Sequence, residues 1–300
     1  MSPRRCVIFP KKHRLPNYLR HIVSICFLFT MVSEAYAACV FTLAGSTGAI
    51  SFNNVDPSTA PGPILGSVTT QVYFTCDYGA AFTVTATPGS GWTLTSGANS
   101  MAYTLGFIAS GTGQGLLSPI ALLTDNSSIT KASYENTPAG AYTNNQSVTL
   151  TINCPTCLLY LIPIQATIPA GNVSGSVINT CAVTQSAGTL TFDIDPSVTG
   201  TTIGSIAQEL KIKCTKNDNI AITSSSGYGG ASPKMYCSSS SSCGSYQIPY
   251  TFIRSSGGTG LGFGIGNDIA LGIGGSVSSS DYANAPAGSY DDLETITISY

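Results

Sequence analysis

One stretch of the chain is written twice. Residues 134–152 read YENTPAGAYTNNQSVTLTI and residues 282–300 read YANAPAGSYDDLETITISY, an offset of 148 positions. A duplication of this kind requires two like folding units, and what is duplicated fixes their class. In both copies apolar residues fall on every second position, at Val148, Leu150 and Ile152 and again at Ile296, Ile298 and Tyr300. The same alternation recurs upstream in pairs. Val68, Val72, Phe74 and Cys76 answer Ile206, Leu210, Ile212 and Cys214, and Ile50 with Phe52 answers Leu190, Phe192 and Ile194. A period of two marks half-buried strands, and no window keeps helical spacing for more than a turn or two. Short strands separated by Gly, Pro and Asn turns, in two units, predict an all-β chain of two immunoglobulin-like antiparallel β-sandwich domains.

The segment PAGNVSGSVINT at 169–180 has the composition of a linker. It divides an N-terminal domain at 38–168 from a C-terminal domain at 181–300. The two copies differ in their sequel. An apolar run at 158–168 comes after the first, and the second reaches Tyr300 with no counterpart. The expectation is a C-terminal sandwich that lacks its last strand, its core open along a groove lined by Leu190, Phe192, Ile194, Ile296, Ile298 and Tyr300. An open sheet edge invites another strand. Burying four or five apolar side chains of an incoming strand would contribute roughly 1.5–3 kcal/mol each. For the first domain, either 158–168, despite Pro163, or 173–178 could supply the closing strand.

The first 37 residues place Arg4, Arg5, Lys11, Lys12, Arg14 and Arg20 around and ahead of an apolar run at 22–32, then Ala35-Tyr36-Ala37. That is the pattern of an export signal cut after Ala37, and the run is too short to cross a bilayer. His13 and His21, six of the twelve Lys+Arg and one of the fourteen Asp+Glu lie in this segment, which leaves six basic against thirteen acidic groups, a net charge of −7. Nucleic acid is excluded as a main partner on that balance. With no histidine left, a Ser-His-Asp triad, a Cys-His pair and a His-ligated metal are all impossible. Asp193 with Asp195, and Asp291 with Asp292, read as turn or strand-end carboxylates. Gly260, Gly262, Gly264 and Gly266 alternate with Leu261, Phe263 and Ile265, which reads as a strand with a bare face and not as a phosphate loop. The chain is expected to be no enzyme and to need no cofactor.

Eight cysteines remain after the signal, an even number in an exported chain, which favours disulfides. The repeat matches Cys39 and Cys76 to Cys181 and Cys214 and so pairs each couple within its own domain. Cys154 with Cys157, and Cys237 with Cys243, are close enough to shut small loops, though other pairings of these four stay open.

GTLTFDIDPS after Cys181, together with PAGSYDDLETITISY at 286–300, resembles the spore coat protein U family, which supplies subunits of archaic (Csu-type) chaperone-usher pili. The likeness runs through 181–300 and, more divergently, through 39–152 with GAISFNNVDPS and PAGAY. It implies an incomplete sandwich that borrows a strand from a periplasmic pilus chaperone and is assembled at an outer-membrane usher. The N-terminal donor strand of the adjacent pilin subunit then replaces the borrowed one at the cell surface. A donor needs about ten alternating residues ahead of its fold, at about 3.3 Å each, and only Ala38 separates the cut from Cys39. A subunit that accepts a strand and gives none fits the pilus tip, and two-domain tip adhesins are similar in layout. Adhesion and biofilm formation are the implied roles. The rival reading is a non-adhesive spore-coat or matrix subunit polymerising through the same groove.

In an immunoglobulin-like layout the loops after the second, fourth and sixth strands gather at one end. The candidates at 77–80, 110–119 and 155–160 carry Tyr78, Leu116, Leu117, Leu158, Leu159 and Tyr160, where polar turn residues are the norm. They are expected to form a patch that adheres to an apolar surface, or to an unknown host ligand, by excluding water. The competing reading puts the leucines in the core. Trp92, the only tryptophan, is another candidate contact, although a single Trp in a sandwich is more often core.

Overall fold

The structure, a computed structural model, describes residues 39–42, 47–59, 62–157, 163–195, 197, 200–206, 209–228, 230, 232–238 and 242–300. The export signal at 1–37 and the candidates Leu158, Leu159 and Tyr160 lie outside the described residues. Strands carry nearly all of the regular structure, as the alternation requires. One apolar core spans Cys39 to Val177, and two adjoining clusters, around Ile212 and Ile222 and around Met235 and Tyr282, fill the second half.

In the first half, one sheet runs in the order Ser67–Thr70, Ala49–Val55, Val173–Val177, Gly140–Asn144, Thr93–Ser96, Asn99–Ala102. A second runs Ile164–Ile168, Val148–Asn153, Ala81–Thr87, Ser110–Thr112. The pairing Ile152↔Ile164 to Val148↔Ile168 resumes beyond a bend as Thr143↔Ser174 to Gly140↔Val177. Residues 140–153 and 164–177 are therefore two long antiparallel paths, each bent from one sheet into the other. The bend at 169–172 is a turn, with Asn172 N–H donating to Pro169 O (3.1 Å). Residues 164–168 of the first candidate closing segment and 173–177 of the second thus belong to one path. The linker assigned to 169–180 is corrected here: Val173–Val177 pairs with Gly140–Asn144 on one side and, in parallel, with Ala49–Val55 on the other. Its valines alternate inward and are buried. A Gly/Ser-rich strand has the composition of a linker because its packing face needs only every second residue.

The repeat extends to single hydrogen bonds. Tyr142 donates its hydroxyl to Pro138 O and Tyr290 to Pro286 O, each at 2.8 Å, the tyrosine corner of an immunoglobulin-like sandwich. Ser58 donates N–H (2.9 Å) and hydroxyl (2.7 Å) to Asp56, and Ser197 does the same to Asp195 at the same distances. The one-turn helices Lys131–Tyr134 and Ser279–Tyr282 both end on a fully buried tyrosine. The first copy has one extra residue, Asn54 in GAISFNNVDPS. It sits at φ 54°, and the ladder to the closing strand shifts there, so that Val55 returns to the inner face.

The second half departs from the first along one line. Glu294–Ser299 pairs with Asn219–Ser226, and Tyr290–Asp291 pairs with Lys234–Cys237. On the other side of 290–299 no strand is present among the described residues. Residues 190–194, expected as a strand like their counterparts in Ala49–Val55, form none. The glycine series is also corrected, because 260–268 is a turn.

Tyr142 is buried and its corner hydrogen bond partly so, so Tyr142→Phe should lower the first core's unfolding free energy by about 1 kcal/mol. Tyr290→Phe should cost the second half less, because Tyr290 is only half-buried. Denaturant midpoints of the two variants measure both.

Candidate functional site

A contrast emerges from a comparison of the halves. Ile50, Phe52 and Val55, and across from them Val148, Leu150 and Ile152, are buried, with the path 164–177 lying between the two sets. Their counterparts Leu190, Phe192, Ile194, Ile296 and Ile298 are all half-buried, and Tyr300 is 54% exposed where Ile152 is 1% exposed. Leu190 and Phe192 lean over Gly275, so close that a Cβ there would meet Phe192 Cζ at 2.9 Å and Leu190 Cδ1 at 3.4 Å. The Phe192 ring also contacts Tyr250, with centroids 6.1 Å apart. Leu190, Ile296 and Ile298 pack against the cluster around Ile212 and Ile222, and Phe192 and Ile194 against the one around Met235 and Tyr282.

Loops 77–80, 113–118 and 154–157 come together at the end of the first sandwich where Val148–Asn153 finishes. Gly79 N–H donates to Gly113 O (2.9 Å) and Gly115 N–H to Cys76 O (3.0 Å), and Ala81 N–H reaches Thr156 Oγ1 (3.1 Å). Disulfides join Cys39 to Cys76, Cys154 to Cys157, Cys181 to Cys214 and Cys237 to Cys243. The first two lie against each other under these loops, since the sulfurs of Cys39, Cys154 and Cys157 are within 4.8 Å of one another. Each of these sulfurs is bonded in a disulfide and offers no thiolate to a metal. Tyr78 is 88% exposed, Leu116 58% and Leu117 97%. For Leu116 and Leu117 the core reading fails. Trp92 is buried, its Nε1–H donating to Pro88 O (3.0 Å).

One cluster escapes any local sequence signal, because Tyr250 is more than 40 residues from the two carboxylates it meets. The Tyr250 hydroxyl lies 2.9 Å from both Asp292 Oδ2 and Glu294 Oε1. A phenol has one proton to donate, so the two carboxylates compete for it, and the site perturbs Glu294. Burial pushes its pKa up, the Tyr250 hydrogen bond opposes this, and the charge of Asp292 adds to the rise. Tyr250 and Glu294 border a cleft of about 550 Å³ that Lys234, Phe252 and Arg254 also line. Ion pairing does not reach Glu294: among the described residues the salt bridge is Lys213–Asp268, at 3.8 Å.

No family model matches the chain, and no curated protein matches it. Among solved structures, a chain of the CsuC–CsuE chaperone–tip adhesion subunit pre-assembly complex, from archaic chaperone-usher Csu pili of Acinetobacter baumannii, aligns over 88% of this chain and 100% of its own length. The identity is 11% and the TM-score 0.40. So distant a likeness decides nothing about the role of this chain.

Because the folded pKa of Glu294 lies above its unfolded value, its contribution favours folding below the ordinary glutamate range and is lost as pH rises through that range toward the raised value. Glu294→Gln should flatten this dependence. Between about pH 4 and about pH 7, the melting temperature of the second half should fall less, or rise more, than in the parent chain. An unchanged pH profile by calorimetry would place the shared proton elsewhere.

Proposed function

We propose that the chain is the adhesive end subunit of a surface fibre built by strand complementation, with a strand-acceptor groove in its second sandwich and a water-excluding patch at the far end of its first. The observation that carries this reading is the contrast between the two grooves. One sequence pattern is buried where 164–177 covers it and half-exposed where nothing among the described residues does. Fully burying a Leu, Ile or Phe contributes about 1.5–3 kcal/mol, so completing the burial of five half-covered side chains is worth on the order of 5 kcal/mol. That is comparable with the whole stability of a small domain. The occupant's chemistry can be read from Val173, Gly175 and Val177, a strand with a small residue between two apolar ones on the inner face. In the cell, a periplasmic chaperone would fill the groove first, an outer-membrane usher would handle the exchange, and a neighbouring subunit's strand would fill it last. The role is one of binding and not of catalysis.

The patch stands on Tyr78, Leu116 and Leu117 and extends by sequence toward Leu158, Leu159 and Tyr160. Its loops are cross-braced by backbone hydrogen bonds and two adjacent disulfides. A rigid apolar projection loses little entropy on contact with a surface, which suits adhesion by water exclusion.

The test of the groove is thermal unfolding of the full chain with a peptide of sequence IQATIPAGNVSGSV, residues 164–177. At about 100 times its dissociation constant the peptide should add about 2.7 kcal/mol to the second half. Phe192→Asp should abolish that gain while the first half melts unchanged, and no shift at saturating peptide would sink the acceptor reading. For the patch, replacing Tyr78, Leu116 and Leu117 by Ser should reduce adhesion to polystyrene at least tenfold with no change in melting temperature. A loss of stability without a loss of adhesion would return these residues to a structural role.

A further inference from the structure

The first sandwich sits on the second through a contact whose receiving surface is itself duplicated. At the lower end of the first half, Glu135 O accepts Phe263 N–H (2.6 Å), and Asn136 Oδ1 accepts Gly264 N–H (3.1 Å) and Asn267 Nδ2 (2.7 Å). The turn that docks there must be bare. A Cβ on Gly262 would come within 2.6 Å of Asn136 Oδ1, and one on Gly264 within 2.7 Å of the same carboxamide. Lys213 Nζ on Gly264 O (2.9 Å) and Asn267 Nδ2 on Leu261 O (2.8 Å) hold the turn in shape.

The same platform recurs at the lower end of the second half. YENTP at 134–138 becomes YANAP at 282–286. Glu135 N–H donates to Lys131 O and Ala283 N–H to Ser279 O, both at 3.0 Å. Thr137 N–H donates to Tyr134 O (3.1 Å) and Ala285 N–H to Tyr282 O (2.9 Å). Ala283 O and Asn284 are thus presented in the same backbone frame as Glu135 O and Asn136. Asn284 is exposed.

We infer that Asn284 and Ala283 O form a docking platform for the glycine turn of another sandwich of this kind, and that this sandwich belongs to a different chain. The reason a second copy is unsuitable lies in the first half's own counterpart of that turn. Gly113 bonds to Ala80 O and Gly79 N–H as Gly260 bonds to Asp218 O and Asn217 N–H, and Gly115 bonds to Cys76 O as Gly262 bonds to Cys214 O. At the place of Gly264, however, stands Leu117. A leucine cannot occupy a position where even a Cβ meets the carboxamide. The partner is therefore a separate subunit with glycines two apart in this turn, and the platform sets the angle at which it joins. This rests on the acceptor reading above, since the same neighbour supplies the strand.

The test extends the full chain beyond Tyr300 with a second copy of residues 153–300, which continues the 148-residue period and supplies both a strand for the groove and a following sandwich. Cysteines at Asn284→Cys and at Gly264→Cys of the added copy should cross-link under mild oxidation, giving a complete, reductant-reversible gel shift. Asn136→Cys with Gly264→Cys in the ordinary chain is the reference pair. Closure of the reference pair alone, or of neither pair, overturns the proposal. Added cysteines can divert native pairs, so a second measurement avoids them: Gly264→Leu in the added copy should raise the radius of gyration of the extended chain, and no rise counts against the platform. Strand acceptance is read separately, from the melting of the middle sandwich. A stabilised middle sandwich without cross-linking leaves the acceptor reading standing and removes only the platform.

Discussion

Backbone hydrogen bonding between strands and the burial of alternate side chains are satisfied together or not at all, and the path 164–177 is where the first half satisfies both. It pairs with 140–153 along its length and, through Val173–Val177, with Ala49–Val55, and this brings Ile50, Phe52, Leu150 and Ile152 out of water. Every other feature of the second half can be set beside that arrangement. The tyrosine corner, the one-turn helix, the Asp–Ser turn and the disulfide at the first strand are all retained. What differs is coverage. Leu190, Phe192, Ile194, Ile296 and Ile298 keep their apolar character and their spacing, and stand half in solvent.

Much of this is legible in the sequence because it is periodic or duplicated. Strand faces emerge from alternation over a few residues, and the pairing of Cys39 with Cys76 and of Cys181 with Cys214 from matching the two copies. The alternation of Leu190, Phe192 and Ile194, and of Ile296, Ile298 and Tyr300, is visible for the same reason. The strand at Val173–Val177 is hidden by its own composition. Where a neighbour's backbone passes as close as Phe52 O does to Gly175, small residues replace the β-branched ones that usually announce a strand. The turn at 260–268 misleads for the opposite reason. Its alternation of Gly with Leu, Phe and Ile mimics a strand, whereas the glycines answer to the carboxamide of Asn136, more than a hundred residues away.

The contact of Tyr250 with Asp292 and Glu294 lies equally beyond local inspection. In the sequence Asp292 stands out only as the neighbour of Asp291, and its real associate is Glu294, which reaches the same phenol. Proximity in sequence is a poor guide to which carboxylates meet, since adjacent residues on extended backbone face opposite ways. The loops are an intermediate case. Their exposed apolar residues stand out by composition, and the hydrogen bonds that gather them depend on glycines whose role emerges only in three dimensions.

The join between the halves has a mechanical consequence. The closing strand runs directly through residues 178–180 into Cys181, and Thr215 clasps that passage, its hydroxyl 3.2 Å from Ile178 O and accepting Thr180 N–H at 3.0 Å. Cys181 is tied in turn to Cys214. A pull between the two sandwiches therefore loads Val173–Val177 along its own axis, so that its flanking hydrogen bonds are stressed in parallel and must fail together. Shear of this kind resists force far better than peeling a strand bond by bond. The molecule is strung so that tension runs lengthwise through the strand that closes the first sandwich.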